Sequence, residues 1–280
     1  MAINQLVQFC RDSYQKDGKC ERCPNTCNNC NICLQEIHND QRNLRIYDCK
    51  NMIFCYVCNY INKHASEIYY GFNTFVNHPS TKKEQYNILS VGCGDCADLF
   101  GIMRFVENNQ LKVNVSYTGV DFNEKWRPIH EQIIKLYPEI TLKYEYQDIF
   151  TYISSLEKVD YNIVILEYVL NEIRKYTPDI IDSFIDSFAR VVVDRLPSGA
   201  LILINDFNHK IVRDYFPKIL ASIKINNEVL PASLRFINPT THTFGGIILS
   251  KDELIFNISV DDRFEQKSPC SSCIYIIYKQ

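Results

Sequence analysis

Asn87-Ile-Leu-Ser-Val-Gly-Cys-Gly-Asp-Cys-Ala-Asp-Leu-Phe-Gly101 is the stretch that decides the fold. Ile88, Leu89 and Val91 make the short apolar run of a buried strand. Gly92-x-Gly94-x-x-Ala97 follows as a turn, and Leu99, Ile102, Met103 and Val106 then recur at helical spacing. The order is strand, glycine turn, helix. A chain that bends this sharply, and whose main chain a ligand must approach closely, needs residues without side chains, and Gly92 and Gly94 provide them. Such a turn suits a nucleotide.

Working outward, residues 115–120 form a second apolar run that ends in Gly119-Val120-Asp121-Phe122. An aspartate at the carboxyl end of the neighbouring strand can accept both hydroxyl protons of a ribose. Its separation from Gly94 exceeds the roughly 20 residues of the dinucleotide fingerprint, which counts against a nicotinamide cofactor. A helix is expected over 126–137, stopped before Pro138, with Ile129, Ile133, Ile134 and Leu136 buried. A third strand is expected over 140–146, ahead of Gln147-Asp148-Ile149-Phe150, and a fourth over 161–166, ahead of Glu167-Tyr168. Thr177-Pro178-Asp179 has the cap, first-turn proline and carboxylate of a helix start, and the apolar stripe runs on to Val192. Pro197-Ser198-Gly199 turns the chain into a fifth strand over 200–204, which ends at Asn205-Asp206. This alternation predicts an α/β fold around a parallel sheet.

Composition divides the chain near residue 80, at His78-Pro79-Ser80-Thr81. Thirteen cysteines are present, and nine lie between Cys10 and Cys58. Without an export signal, such density points to a metal rather than to disulfides. Cys20, Cys23, Cys27, Cys30 and Cys33 form overlapping CxxC pairs, and Cys49, Cys55 and Cys58 add further ligands, so residues 1–80 are expected to form a small zinc-binding module. Cys23-x-x-x-Cys27-x-x-Cys30 also has an iron–sulfur spacing, but no strand precedes it and no barrel pattern follows. Cys270 and Cys273 are candidates to complete the metal site.

A net charge of −3 provides no global attraction to nucleic acid or an anionic membrane, and residues 1–80 carry eight lysines and arginines against seven carboxylates. Nucleic-acid contact is thus not signalled by charge. The run from 52 to 75, rich in Phe, Tyr and Ile, reads as a helix packed on the rest of the chain. No apolar run reaches the roughly 20 residues of a membrane span, so a soluble, cytoplasmic protein is expected.

Over residues 85–280 the chain resembles the class I S-adenosylmethionine-dependent methyltransferase superfamily. The resemblance rests on Val91-Gly92-Cys93-Gly94, Gly119-Val120-Asp121, Gln147-Asp148, Val159-Asp160-Tyr161-Asn162-Ile163-Val164-Ile165 and Leu196-Pro197-Ser198-Gly199-Ala200-Leu201. Ser90 stands where the family usually has an acidic residue, and Cys96 where it has a third glycine. The resemblance implies a Rossmann-like, doubly wound, mostly parallel sheet of seven strands, in residues 81–280, closed by an antiparallel pair at 254–260 and 273–278. It implies that Val91, Gly92, Cys93 and Gly94 pass beside the methionine part of the cofactor and that Asp121 and Phe122 meet the ribose. Asp148 and Ile149 would face the adenine, and Glu167 and Tyr168 would stand near the transferred methyl. Glu167, Tyr168 and Asp206 are the expected catalytic residues, and the candidates for proton removal, each after a strand or in the insertion near the ligand face, are Glu167, Glu172, Asp206, His209 and His242. The acceptor (RNA, protein or small molecule) is unnamed, since no Asn-Pro-Pro-Tyr follows the fourth strand. The irregular insertion over 226–246 is expected to cover the pocket. The alternatives are a non-catalytic, zinc-containing binding protein on the same scaffold and an NAD-dependent oxidoreductase.

Overall fold

The computed structural model describes residues 1–14, 29–39, 47, 49–74, 83–176, 178–225, 227–236, 247–249, 254–267, 270 and 272–280. Three helices come first: α1 (Ala2–Ser13), α2 (Cys30–Asn39) and α3 (Lys50–Thr74). On α1 the buried residues Ile3, Leu6, Val7 and Cys10 recur at helical spacing, so one stripe faces inward. Strands β1 (Gln85–Val91), β2 (Asn114–Val120), β3 (Thr141–Glu145), β4 (Ile163–Glu167) and β5 (Leu201–Phe207) follow. They alternate with α4 (Ala97–Asn108), α5 (Arg127–Leu136), α6 (Ile149–Ser155), α7 (Val169–Tyr176) and α8 (Ile181–Ser187). After α9 (Lys210–Arg213) and α10 (Tyr215–Lys224) come β6 (Val229–Phe236), β7 (Ile247–Leu249) and β8 (Ser272–Lys279).

The strands form one sheet in the order β3-β2-β1-β4-β5-β8-β6-β7. Neighbours among β1 to β5 are parallel, whereas β8 is antiparallel to both β5 and β6. The α/β, mostly parallel sheet with an antiparallel C-terminal pairing is as expected. Among the described residues its strand count is eight, not seven. The partner of β8 is also different: residues 254–260 have no regular structure, and β6 takes that place. Leu254, Ile255, Phe256, Ile258 and Val260 instead pack into the core that contains the helices of 1–74, and the Ile255 N–H donates to Ser66 Oγ at 3.0 Å. The first part of the insertion read as a cover is therefore β6, inside the sheet, while 237–246 lie outside the described residues. The single helix expected to end at Val192 is broken into a 3₁₀ turn (Pro178–Ile180), α8, a π turn (Phe188–Val192) and a second 3₁₀ turn (Val193–Arg195).

Successive residues of each strand feed opposite cores, as the two-residue period requires. Ile163, Ile165, Leu201 and Leu203 join α1 to α5, while Val164, Leu166, Ile202 and Ile204 join α6, α8 and α10. The described part of residues 1–80 belongs to the first of these cores, so the boundary near residue 80 does not separate two cores. The crossing of α3 over α4 is close: a Cβ on Gly101 would lie 2.5 Å from the Ala65 carbonyl oxygen.

Candidate active site

A cavity of about 680 Å³ opens at the carboxyl ends of β1, β2 and β4, where an open α/β sheet places its ligands. Val91, Gly92, Cys93 and Gly94 line it, as do Asp121 and Phe122, Asp148 and Ile149, and Glu167 and Tyr168. Gly92 and Gly94 adopt φ of +65° and +46°, where a side chain would be strained. The loop is fastened to β2 by Gly92 N–H donating to Val120 O at 2.8 Å and Gly94 N–H donating to Asp121 Oδ2 at 3.0 Å. The other oxygen of Asp121 accepts from Asn123 N–H at 2.8 Å. Burial raises its proton affinity, and these two backbone donors oppose that rise.

Asp95 and Asp98, inside the glycine loop and the first turn of α4, also line the cavity. Asp95 Oδ1 accepts from Ala97 N–H at 3.3 Å, while its Oδ2 is buried without a hydrogen-bond partner. Burial, reinforced by Cys96, pushes Asp95 up to about 8. Asp98 Oδ1 accepts from Leu99 N–H and Tyr117 OH, both at 2.9 Å, yet burial holds this carboxyl at about 7. Glu172, which accepts from Tyr47 OH at 3.2 Å, is also raised by burial to about 7, and Glu167 is pushed well up by burial. Six carboxylates therefore border the cavity, and no lysine or arginine is among its described lining residues.

Behind Tyr168, which lines the cavity, α3 presents polar side chains that the sequence pattern alone does not single out. Lys63 Nζ donates to Tyr168 OH, which donates to Glu67 Oε2 at 2.8 Å. Lys63 and Glu67 pair at 3.3 Å, and Asn205 Nδ2 bridges Glu67 Oε2 at 2.9 Å and Glu167 Oε1 at 3.1 Å. Tyr168 itself is held at φ +60°, a conformation disfavoured for an aromatic residue, and its ring lies 4.4 Å from that of His64. Asn62, Lys63, His64 and Glu67 are all buried, in a helix otherwise rich in aromatic and aliphatic residues. Tyr47, Tyr56 and Trp126 close the same side, their rings 5.2–5.7 Å apart.

Two groups of expected residues are placed elsewhere. Asp206 is not among the cavity's lining residues; its Oδ2 accepts from Asn171 N–H at 3.1 Å and its Oδ1 from Phe207 N–H at 2.7 Å, so it caps the start of α7. Asp148 lines the cavity but also caps α6, accepting from Phe150 N–H at 2.9 Å and Thr151 N–H at 3.0 Å. Of the expected metal ligands, Cys20, Cys23 and Cys27 lie outside the described residues. Cys30 and Cys33 on α2, and Cys55 and Cys58 on α3, are buried where helices pack; Cys55 Sγ lies 3.1 Å from Asn31 Oδ1. Among the described residues, Cys30, Cys33, Cys49, Cys55 and Cys58 make no group of three ligand atoms close enough to share an ion. Among the described residues that arrangement is found at Cys93, Cys96 and His130. The reason is spacing: on a helix, thiols three apart share one face, and here that face is spent on packing. Cys270 and Cys273 are buried, with Cys273 inside β8.

No protein-family model matches the chain, and no curated protein matches it. Solved structures do. One is a class I S-adenosylmethionine-dependent methyltransferase assigned to Listeria monocytogenes, 15% identical, covering 99% of this chain and 88% of that one with a TM-score of 0.46. Another is the plantazolicin methyltransferase BpumL in complex with SAH, 14% identical, covering 100% of both chains with a TM-score of 0.43. A third is an rRNA methylase from Streptococcus thermophilus, 8% identical, covering 70% of this chain and 88% of that one with a TM-score of 0.41.

Proposed function

We propose that this chain is an S-adenosylmethionine-dependent methyltransferase. The observation that carries the reading is the charge of the cavity: six bordering carboxylates, two of them (Asp95 and Asp98) with a buried, unpartnered oxygen, and no described lysine or arginine in the lining. Unpaired buried anions are costly, and a cationic ligand offsets that cost. S-adenosylmethionine carries a sulfonium and an ammonium. NAD carries a diphosphate that this lining would repel, although Gly92-x-Gly94-x-x-Ala97 and Asp121 suit either nucleotide.

The cofactor supplies an activated methyl group. In this reading Asp95 and Asp98 hold its positive end, Gly92 and Gly94 allow the main chain close to it, and Asp121 accepts the ribose hydroxyls with the lone pairs left beyond its two backbone donors. Asp148, Ile149 and Phe122 border the adenine side. Tyr168, fixed by Lys63 and Glu67, faces the acceptor; it takes the acceptor's proton as its own passes to Glu67 Oε2. Glu167 is held by Asn205 and shapes the same wall. Asp206 acts by positioning α7, not by touching the reactants. Tyr47, Tyr56 and Trp126 exclude water from the aromatic side.

Calorimetry with S-adenosylmethionine, S-adenosylhomocysteine and NAD tests the reading. Binding of the two sulfur compounds and not NAD is expected. Binding of NAD alone would make the chain an oxidoreductase candidate, and binding of none would leave the scaffold reading.

A further inference from the structure

Behind the cavity wall, Cys93 Sγ, Cys96 Sγ and one nitrogen of His130 lie within 4.8 Å of one another, and all three residues are buried. Cys93 Sγ is 3.8 Å from His130 Nε2, close to the roughly 3.5 Å between neighbouring ligands of a tetrahedral zinc ion with thiolate and imidazole donors. We propose that Cys93, Cys96 and His130 form a zinc site that ties the glycine loop to α5.

Four features indicate a built site rather than a chance meeting. Cys96 adopts φ +57° and ψ +36° at the N-cap of α4, a left-handed conformation that glycine would take without strain, yet a thiol is there. Gly119 makes room opposite: a Cβ on it would lie 2.7 Å from Cys93 Sγ. The imidazole is fixed in plane by Tyr144, with ring centroids 4.1 Å apart and an interplanar angle of 6°. His130 Nδ1 is already hydrogen-bonded to Tyr146 OH at 2.8 Å, as the non-ligating nitrogen of a metal-bound histidine usually is. This leaves Nε2 directed at the thiols; it now also meets Gly94 O at 2.8 Å, a contact it exchanges for the ion. Two sulfur donors and one imidazole select a thiophilic ion such as zinc over calcium or magnesium. On binding, the thiols lose their protons to solvent and ligate as thiolates. Three protein ligands leave the fourth position to water from the cavity that Cys93 lines.

The site does not depend on which nucleotide the cavity holds, so its test is independent of that reading. The reduced full chain is titrated with cobalt(II), a zinc stand-in whose thiolate charge-transfer bands in the near ultraviolet and tetrahedral bands in the visible report the donor set. Wild type is compared with Cys96→Gly, which removes a ligand while relieving the backbone, and with His130→Gln. Each variant, folded by circular dichroism, is expected to bind one equivalent fewer than wild type, and zinc should bleach that equivalent. Any cobalt held by the amino-terminal cysteines is common to all three proteins and cancels. Equal stoichiometry in the three proteins, loss in only one variant, or no binding by wild type would overturn the three-ligand site.

Discussion

The strongest tests at the level of single residues concern the acids of the glycine loop. Asp95→Asn removes the charge that faces the proposed cation while keeping the side chain's shape, so S-adenosylmethionine affinity should fall about tenfold, a loss of roughly 1.4 kcal/mol, with the fold intact. Unchanged affinity by calorimetry would place the cation elsewhere. Asp121→Ala removes the acceptor expected to meet two ribose hydroxyls and also frees Gly94 N–H, so it should weaken binding at least tenfold. Acidity adds a further signature. A carboxyl held near 8 in the folded chain keeps a proton that the unfolded chain releases above about pH 4; its contribution to stability is therefore full below that pH and is lost as pH rises through 8. The metal-free, ligand-free protein should lose thermal stability from pH 6 to 8, and the stabilisation conferred by S-adenosylmethionine should grow over the same interval. A ligand-induced shift that does not change with pH would show that Asp95 and Asp98 do not meet the positive charge. Asp121 and Glu167 were legible in the sequence because they stand at the ends of unmistakable apolar strands. Lys63, Glu67 and Asn205 were not, because their meeting joins a helix to a strand more than a hundred residues away.

Among the elements, the α3–α4 crossing is the most exacting contact. Any side chain on Gly101 meets the backbone of α3, with a Cβ 2.5 Å from Ala65 O and 3.0 Å from Tyr69 N, and neither helix can yield without moving the glycine loop that α4 carries. Gly101→Val should cost on the order of 1–3 kcal/mol by overpacking. A melting temperature within a degree of wild type would show that the helices slide freely. Strands β1, β2, β4 and β5 could be read from sequence because each holds an apolar run bounded by turn residues, and β3 because apolar and polar residues alternate along Thr141–Glu145. The alternation of Leu254, Phe256, Ile258 and Val260 mimics a strand, but Phe256 and Ile258 are buried in the core shared with the amino-terminal helices, and the run packs there without regular structure. The reverse error hid β6, where Pro231 and the irregular residues after it read as a loop. The described cysteines at 30, 33, 55 and 58 lie on helices, where spacing that suits a metal loop also places thiols on one face.

For the molecule as a whole, the shared core alters what the amino-terminal third is for. Because α3 packs on β5 and β8 and carries α1 and α2 on its outer side, residues 83–280 produced alone would expose Leu203 and Ile274, and should fail to give a cooperative unfolding transition. Hydrogen exchange of the full chain should protect α3 and β1 to the same extent; protection of β1 that survives opening of α3 would mean that the sheet stands by itself. Among the described residues no helix is long and apolar enough to cross a membrane. The position of β8 has a consequence in time. It lies between β5 and β6, yet it is the last of the three to leave the ribosome, so β6 and β7 have been made before the strand that joins them to the sheet exists. Until then the edge of β5 is open to any passing strand, and the nascent chain spends that interval dependent on whatever shields unpaired edges in the cell.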